Sequence, residues 1–279
     1  MFNFFKKSRD CCLNRISNSH KIPTIKKFGN RNLYKTEENY YFWLDSEKYL
    51  DKSIIEHGFF EKESTEAVKK IVKNGDVVLD IGANIGYYTV IFSRLTGSKG
   101  MVYAFEPVKK YREVLKENLI SNKVKNAKIY PFGFSDKKES LDIYIGNSSA
   151  TLHWVADNSP LFQERIRLIT LDEFSKKNNI KKIDFIKIDV DGHEPSFFKG
   201  AWNTLEKFNP VILLEINQEN YLKAGTTAWD FYDLLKSKSY KIFDEENLKE
   251  FPSKREFLIK CGNFAYSANI IISKNNLKI

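Results

Sequence analysis

Cysteine is scarce in this 279-residue chain: Cys11, Cys12 and Cys261 are the only three. Two of them are adjacent, and neither a CxxC pair nor a Cys/His ligand cluster occurs. That argues against a zinc site, an iron–sulfur cluster or a secreted disulfide framework. A reducing cytoplasm is the expected compartment. Long apolar runs are also missing, and none approaches the ~18 residues of a membrane span. The opening MFNFFKKSRD has no long apolar core after its charges, so it makes a poor signal peptide. The G-x-G-x-x-G dinucleotide fingerprint and the Gly-Lys-Ser/Thr of a P-loop are both absent. Internal repeats and extended low-complexity segments are absent too. What remains, 42% hydrophobic and 29% charged, is ordinary globular composition.

The net charge of +9 is unevenly spread. Residues 1–35 hold nine Lys or Arg against the single acid Asp10, so that segment carries +8 and the remainder +1. The basic character therefore belongs to an N-terminal arm, assigned to residues 1–36, which the pair Gly29-Asn30 helps to divide from the body. Clustered charge of this kind marks a solvated tail or a contact with an anionic surface. Phe2, Phe4 and Phe5 beside Lys6 and Lys7 suit weak membrane-surface contact, well short of a stable anchor.

Residues 37–75 read as a helix-rich extension, because EKESTEAVKKIVKNG is a charged amphipathic pattern stopped by Asn74-Gly75. From residue 76 to 279 strands and helices alternate. VVLDIG, MVYAFEP, AKIYPFGF, KIDFIKIDV and PVILLEIN read as the main strands, with helices over Tyr87–Leu95, Lys109–Ile120, Ser196–Phe208 and Ala228–Lys236 between them. SLDIYIG and IRLITLDEF are further strand-like stretches, and KIFDEE and ANIIISK candidate late strands. Continuous apolar strands alternating with helices predict an α/β fold with a mainly parallel sheet covered on both faces. Ligands of such sheets bind at the carboxyl ends of the strands.

All five of the main strand ends carry chemistry. Gly82 and Gly86 lie in DIGANIG after the first main strand, with Asp80 at its end. Gly82 can turn the chain with φ > 0, and Gly86 would let a ligand approach the start of the next helix. Asn84 stands where a dinucleotide site has its second glycine, so a ligand with an amino group and a carboxylate fits better than a pyrophosphate. S-adenosylmethionine has both. Glu106 ends the second strand, where an acid accepts hydrogen bonds from ribose hydroxyls. In GFSD, Phe134 offers an apolar wall and Asp136 a partner for an adenine amino group, or a turn cap. KIDVDGHE gathers Asp189, Asp191, His193 and Glu194, whose mutual repulsion suits a general base acting on a hydroxyl. Asp184, earlier in that strand, reads as structural. Glu215 and Asn217 end the fifth strand and, with Asp189, read as substrate hydrogen-bonders or Mg²⁺ ligands; no metal is assigned.

Taken in order, VVLDIGANIGYYT, AFEP, GFSD, ITLDEF, FIKIDVDGHEPSFFKGA and PVILLEIN resemble the FkbM-type S-adenosylmethionine-dependent methyltransferases, over roughly Tyr41 to Ile242. The resemblance implies a Rossmann-like class I methyltransferase fold with a seven-stranded sheet whose last strand is antiparallel. It implies O-methylation, often of sugar or natural-product hydroxyls. Carried over, Asp80, Gly82, Asn84 and Gly86 would hold the methionine part, Glu106 the ribose and Asp136 the adenine side. Asp189, Asp191, His193 and Glu194 would line the reaction site. Asp191 stands where the family commonly has Glu; the shorter side chain favours His193 or Asp189 as the base. The loop from Asn147 to Trp154 would help hold the acceptor, with His153 and Trp154 placed to stack on a sugar.

The basic arm motivates a rival, a nucleic-acid methyltransferase. Against it, the Asn/Asp-Pro-Pro-Tyr/Phe run of amino-directed DNA enzymes is absent and the body is close to neutral. Two further rivals are a dehydrogenase and a non-catalytic nucleotide-binding protein. The expected partner is a small-molecule or glycan hydroxyl acceptor.

Overall fold

The computed structural model describes residues 22–145, 150–151, 162–264 and 266–279. Most of the basic arm and most of the Asn147–Trp154 loop lie outside the described residues.

Three strands come first, β1 (Thr24–Phe28), β2 (Arg31–Lys35) and β3 (Tyr41–Leu44), followed by helices α1 (Tyr49–His57) and α2 (Lys62–Ile71). The alternating body runs β4 (Val77–Ile81), α3 (Tyr87–Thr96), β5 (Met101–Phe105), α4 (Lys109–Ser121), β6 (Ala127–Tyr130). A small-sheet region follows with β7 (Gly133–Phe134), β8 (Glu139–Ile145), β9 (Ala150–Thr151) and β10 (Phe162–Ile169). Then come α5 (Leu171–Lys177), β11 (Phe185–Ile188), α6 (Glu194–Lys199), α7 (Trp202–Phe208) and β12 (Val211–Ile216). The chain closes with α8 (Gln218–Lys223), α9 (Ala228–Ser237), β13 (Lys241–Asp244), α10 (Lys254–Cys261) and β14 (Ala268–Ser273).

The main sheet has seven strands in the order β13-β14-β12-β11-β4-β5-β6. β4, β5, β6, β11 and β12 pair in parallel, while β14 runs antiparallel to both β12 and β13. This is the expected α/β sheet with its antiparallel last strand. Side chains alternate between its faces. Val78, Val102, Phe185, Leu213 and Ile271 pack on one side with α3, α4 and the N-terminal elements. Leu79, Ile81, Phe105, Ile186, Leu214 and Ile270 pack on the other with Phe174, Phe198, Leu205, Phe231 and Phe257. The strand order reverses at β4, with β5 on one side and β11 on the other, which opens a crevice at their carboxyl ends.

Several boundaries differ from the sequence reading. Gly29-Asn30 is the turn of the β1–β2 hairpin, with Gly29 at φ +57, and the second half of the expected arm is paired strand. The extension begins with β3, whose Phe42 and Leu44 are fully buried by strand alternation. AKIYPFGF divides into β6 and β7 around Pro131, which has no N–H to continue the ladder. The 196–208 helix divides into α6 and α7 around Gly200, where an added Cβ would lie 2.1 Å from the Ser135 carbonyl oxygen. ITLDEF is divided too: Thr170 leaves β10 and caps α5 by accepting from the Glu173 N–H.

Candidate active site

A cleft of about 1140 Å³ opens at the carboxyl ends of β4, β5, β11 and β12. Its floor is the turn after β4. Gly82 has φ +78 and Asn84 φ +48, and an added Cβ on Gly82 would sit 1.9 Å from the Asp189 carbonyl oxygen. Only glycine therefore lets the two strand exits meet. Asp80 is 1% exposed; its Oδ2 accepts from the Thr89 hydroxyl at 2.5 Å. Its Oδ1 has no hydrogen-bond partner among the described residues. Burial raises its pKa.

Glu106, 4% exposed, is held on both oxygens. Oε2 accepts from Asn84 N–H and Oε1 from Val108 N–H, each at 2.8 Å. Burial still pushes its pKa up to about 7, against the pull of those two bonds. The carboxylate thus ties the glycine turn to the end of β5 and keeps a lone pair on each oxygen for a ligand. Beside it Val108, Tyr111, Phe134, Ile143 and Leu168 form an apolar wall.

On the other side lies the DVDGHE turn. Asp189 is ion-paired with Lys187 at 2.8 Å. Burial alone would lower the lysine's pKa, but Asp189, Glu61 and Asp80 together raise it, so Lys187 is a fixed cation. Asp191 takes a left-handed φ of +51 and lines the cleft. Burial, then Asp189 and Glu194, push its pKa up to about 8. The backbone conformation suits Asp or Asn better than Glu, which accounts locally for the short side chain here.

Three expected residues lie elsewhere. Glu194 is fully buried, outside the lining, and its Oε1 accepts from Val190 N–H at 3.0 Å; it braces the turn. Gly86, at φ +85, is also outside the lining: an added Cβ would meet Leu115 Cδ1 at 2.2 Å, so a helix rather than a ligand makes the close approach. Asp136 is exposed outside the lining, with Ser135 Oγ at 3.1 Å from its Oδ1. His193 does line the cleft, but its Nε2 is 3.0 Å from Ser135 Oγ, on the Phe134 side. Asp184 is structural as expected, accepting from Val77 N–H at 2.8 Å.

Sequence reasoning missed Lys187, Glu61, Tyr111 and Ser64, all of which line the cleft. Lys187 had a signal: a lysine inside the fully buried strand FIKI needs a carboxylate partner. Glu61 and Ser64 lie far from the strand-end motifs and come in only through folding, while Tyr111 follows Glu106 by five residues on α4. Glu215 and Asn217 do reach the cleft, and half-buried Glu215 has its pKa raised by desolvation and then by Asp189 and Asp191. Among the described residues no group of three or more His, Cys, Asp or Glu is arranged to hold a metal ion.

A seven-stranded sheet of this order, with a glycine turn, an acid after β5 and a polar turn after β11, defines the class I methyltransferases. Within them, a model described as the methyltransferase FkbM domain matches residues 80–262, more than half of the chain. The chain belongs to that family. A model of protein-L-isoaspartate(D-aspartate) O-methyltransferase also matches residues 13–136. The hexuronic acid methyltransferase AglP of Haloferax volcanii is 29% identical over 153 residues, 55% of this chain; the match spans only 61% of that relative's length. Among solved structures, methyltransferase FkbM from Methylobacillus flagellatus is 16% identical with a TM-score of 0.44, over 71% of this chain and 43% of that one. A structure described as a putative rRNA-methylase from Clostridium thermocellum is 13% identical with a TM-score of 0.47, over 77% and 96%. No helix among the described residues is long and apolar enough to cross a membrane.

Proposed function

We propose that the protein is an S-adenosylmethionine-dependent O-methyltransferase acting on a sugar hydroxyl. The observation that carries the cofactor assignment is Glu106, clamped to the glycine turn with acceptor capacity left over. The unpartnered Asp80 Oδ1 supports it, because an α-ammonium group would satisfy that buried oxygen. The residues present therefore fit the cofactor. Asp80 and the turn from Gly82 to Asn84 would hold its methionine end, Glu106 its ribose hydroxyls and Phe134 with Val108 its base. When bound, S-adenosylmethionine supplies a sulfonium-activated methyl group.

The chain's own task is then to align a hydroxyl and remove its proton. Alignment in a confined cleft supplies much of such an acceleration. Asp191 is the group we assign to the proton. It lines the cleft, its pKa lies near the working range, and no hydrogen bond from the described residues ties its carboxylate down. Asp189, ion-paired with Lys187, and Glu194 stand close enough to raise the pKa of Asp191 and hold it ready to gain a proton. The name of the Haloferax volcanii relative supports a sugar as acceptor.

Titration calorimetry tests the cofactor site. Glu106→Ala is expected to weaken S-adenosylmethionine binding at least tenfold, about 1.4 kcal/mol. An unchanged dissociation constant would refute the ribose role.

A further inference from the structure

The far end of the cleft is completed from outside the matched family domain. Glu61 precedes α2 at its N-cap position, has φ +45, and makes no side-chain cap. Its carboxylate turns instead into the cleft, where Tyr88 OH donates to Oε2 at 2.9 Å and the Asn269 side chain also bonds it. Two of roughly four lone-pair directions are left. Glu215, Glu245, Asn217 and Ser267 line the cleft at the β12, β13 and β14 ends nearby. Ser64 Oγ, in the first turn of α2, lines it too; this residue is 1% exposed and the oxygen has no hydrogen-bond partner among the described residues. Both lysines of the lining are engaged. Lys187 is on Asp189 at 2.8 Å, and Lys260 is on Glu245 at 2.6 Å and Asp244 at 3.0 Å. Among the described residues, this end thus offers hydrogen-bond acceptors in excess and no uncommitted Lys or Arg for a carboxylate.

We propose that Glu61 is a specificity-determining residue: its carboxylate receives a hydrogen bond from an acceptor hydroxyl, and the end it completes takes a hydroxyl-rich sugar without a ring carboxylate. The physical reason is twofold. Sugar hydroxyls can donate to the carboxyl oxygens already there, which keep accepting lone pairs. A uronate would bring a negative charge to a wall of acids that, among the described residues, has no uncommitted Lys or Arg to meet it. The inference rests on the sugar-acceptor reading above.

The test compares methyl glucoside with methyl glucuronide, which differ only at C6, by saturation-transfer NMR titration of the full chain loaded with S-adenosylhomocysteine. The glucoside is expected to bind at least tenfold more tightly. Glu61→Gln is expected to leave S-adenosylhomocysteine affinity within twofold, weaken the glucoside at least fivefold and narrow the preference. Should Gln abolish S-adenosylhomocysteine binding, Glu61→Asp decides, with the glucoside weakened and the preference kept. Equal or tighter glucuronide binding overturns the inference, as does an undiminished glucoside affinity in the deciding variant, or binding of neither sugar. S-adenosylhomocysteine affinity separates the two levels. Its absence in the unaltered protein sinks the cofactor reading and this inference with it; its presence without sugar discrimination sinks this inference alone.

Discussion

Asp191 shows how much chemistry one residue can draw from its surroundings. Burial and the neighbouring acids hold its pKa at about 8. A base must be ionised to act, so kcat/KM is expected to rise with pH through about 8 and level off above it. Asp191→Asn is expected to cost about 10²- to 10⁴-fold in kcat and to flatten that limb. The same shift acts on stability with the opposite sense. A carboxyl whose folded pKa is raised contributes stability below its unfolded value of 3.8, and loses it as pH climbs through 8. Asn stays neutral and tolerates the left-handed φ. The variant should therefore melt closest to the unaltered protein at the acid end, near pH 4, with a margin over it that grows as pH rises and levels off above about 8. A fully active, equally pH-dependent variant would exclude Asp191 as the base. The sequence identified Asp191 as a member of the acid cluster but favoured His193 and Asp189 as bases. Ser135, which engages His193, is brought in only by the fold, whereas Lys187 lies two residues before the Asp189 it pairs with.

At the scale of elements, the strand–turn–helix from Val77 to Thr96 was legible because its signals are local: buried strand, glycines, then helix. The purpose of Gly86 was not, because its neighbour Leu115 lies on α4, 29 residues on. Two costs are stacked at this position. An alanine would have to hold φ +85 and would place a Cβ 2.2 Å from Leu115 Cδ1. Gly86→Ala is expected to destabilise by about 2–4 kcal/mol, combining backbone strain with overpacking. Adding Leu115→Ala relieves the overlap but leaves the backbone cost and opens a gap. The double variant should therefore fall short of additivity by about 1 kcal/mol or more in denaturant melts. Strict additivity would mean that α3 and α4 do not meet through these two residues. The divided strand at Pro131 was misread as one for a local reason: apolar residues continue across it, and only the missing N–H betrays the break.

For the molecule as a whole, the question is how the N-terminal sheet, outside the matched family domain, joins the glycine turn. Asn118 on α4 and the helix's C-cap residue Asn122, one turn later, make the join. Asn122 Oδ1 accepts from Tyr41 N–H at 2.9 Å and its Nδ2 donates to Tyr41 O at 2.6 Å. Asn118, fully buried, accepts from Trp43 N–H at 2.7 Å and donates to Ile85 O at 2.8 Å. The side chains do for the edge of β3 what a neighbouring strand would do. Through Asn118 the edge reaches the backbone of the turn between Asn84 and Gly86. Asn118→Leu would leave a buried N–H and a buried carbonyl without partners, costing about 1–3 kcal/mol each. Part of that cost falls on the turn itself, so the variant should bind S-adenosylmethionine more weakly at a temperature where it remains folded. Asn122→Leu breaks contacts with the same strand but none with the turn, so it should lower the melting temperature and leave the dissociation constant unchanged. Equal effects of the two variants on cofactor affinity would mean that the N-terminal sheet supports the fold without setting the turn. A difference confined to Asn118 would locate the coupling in that one amide.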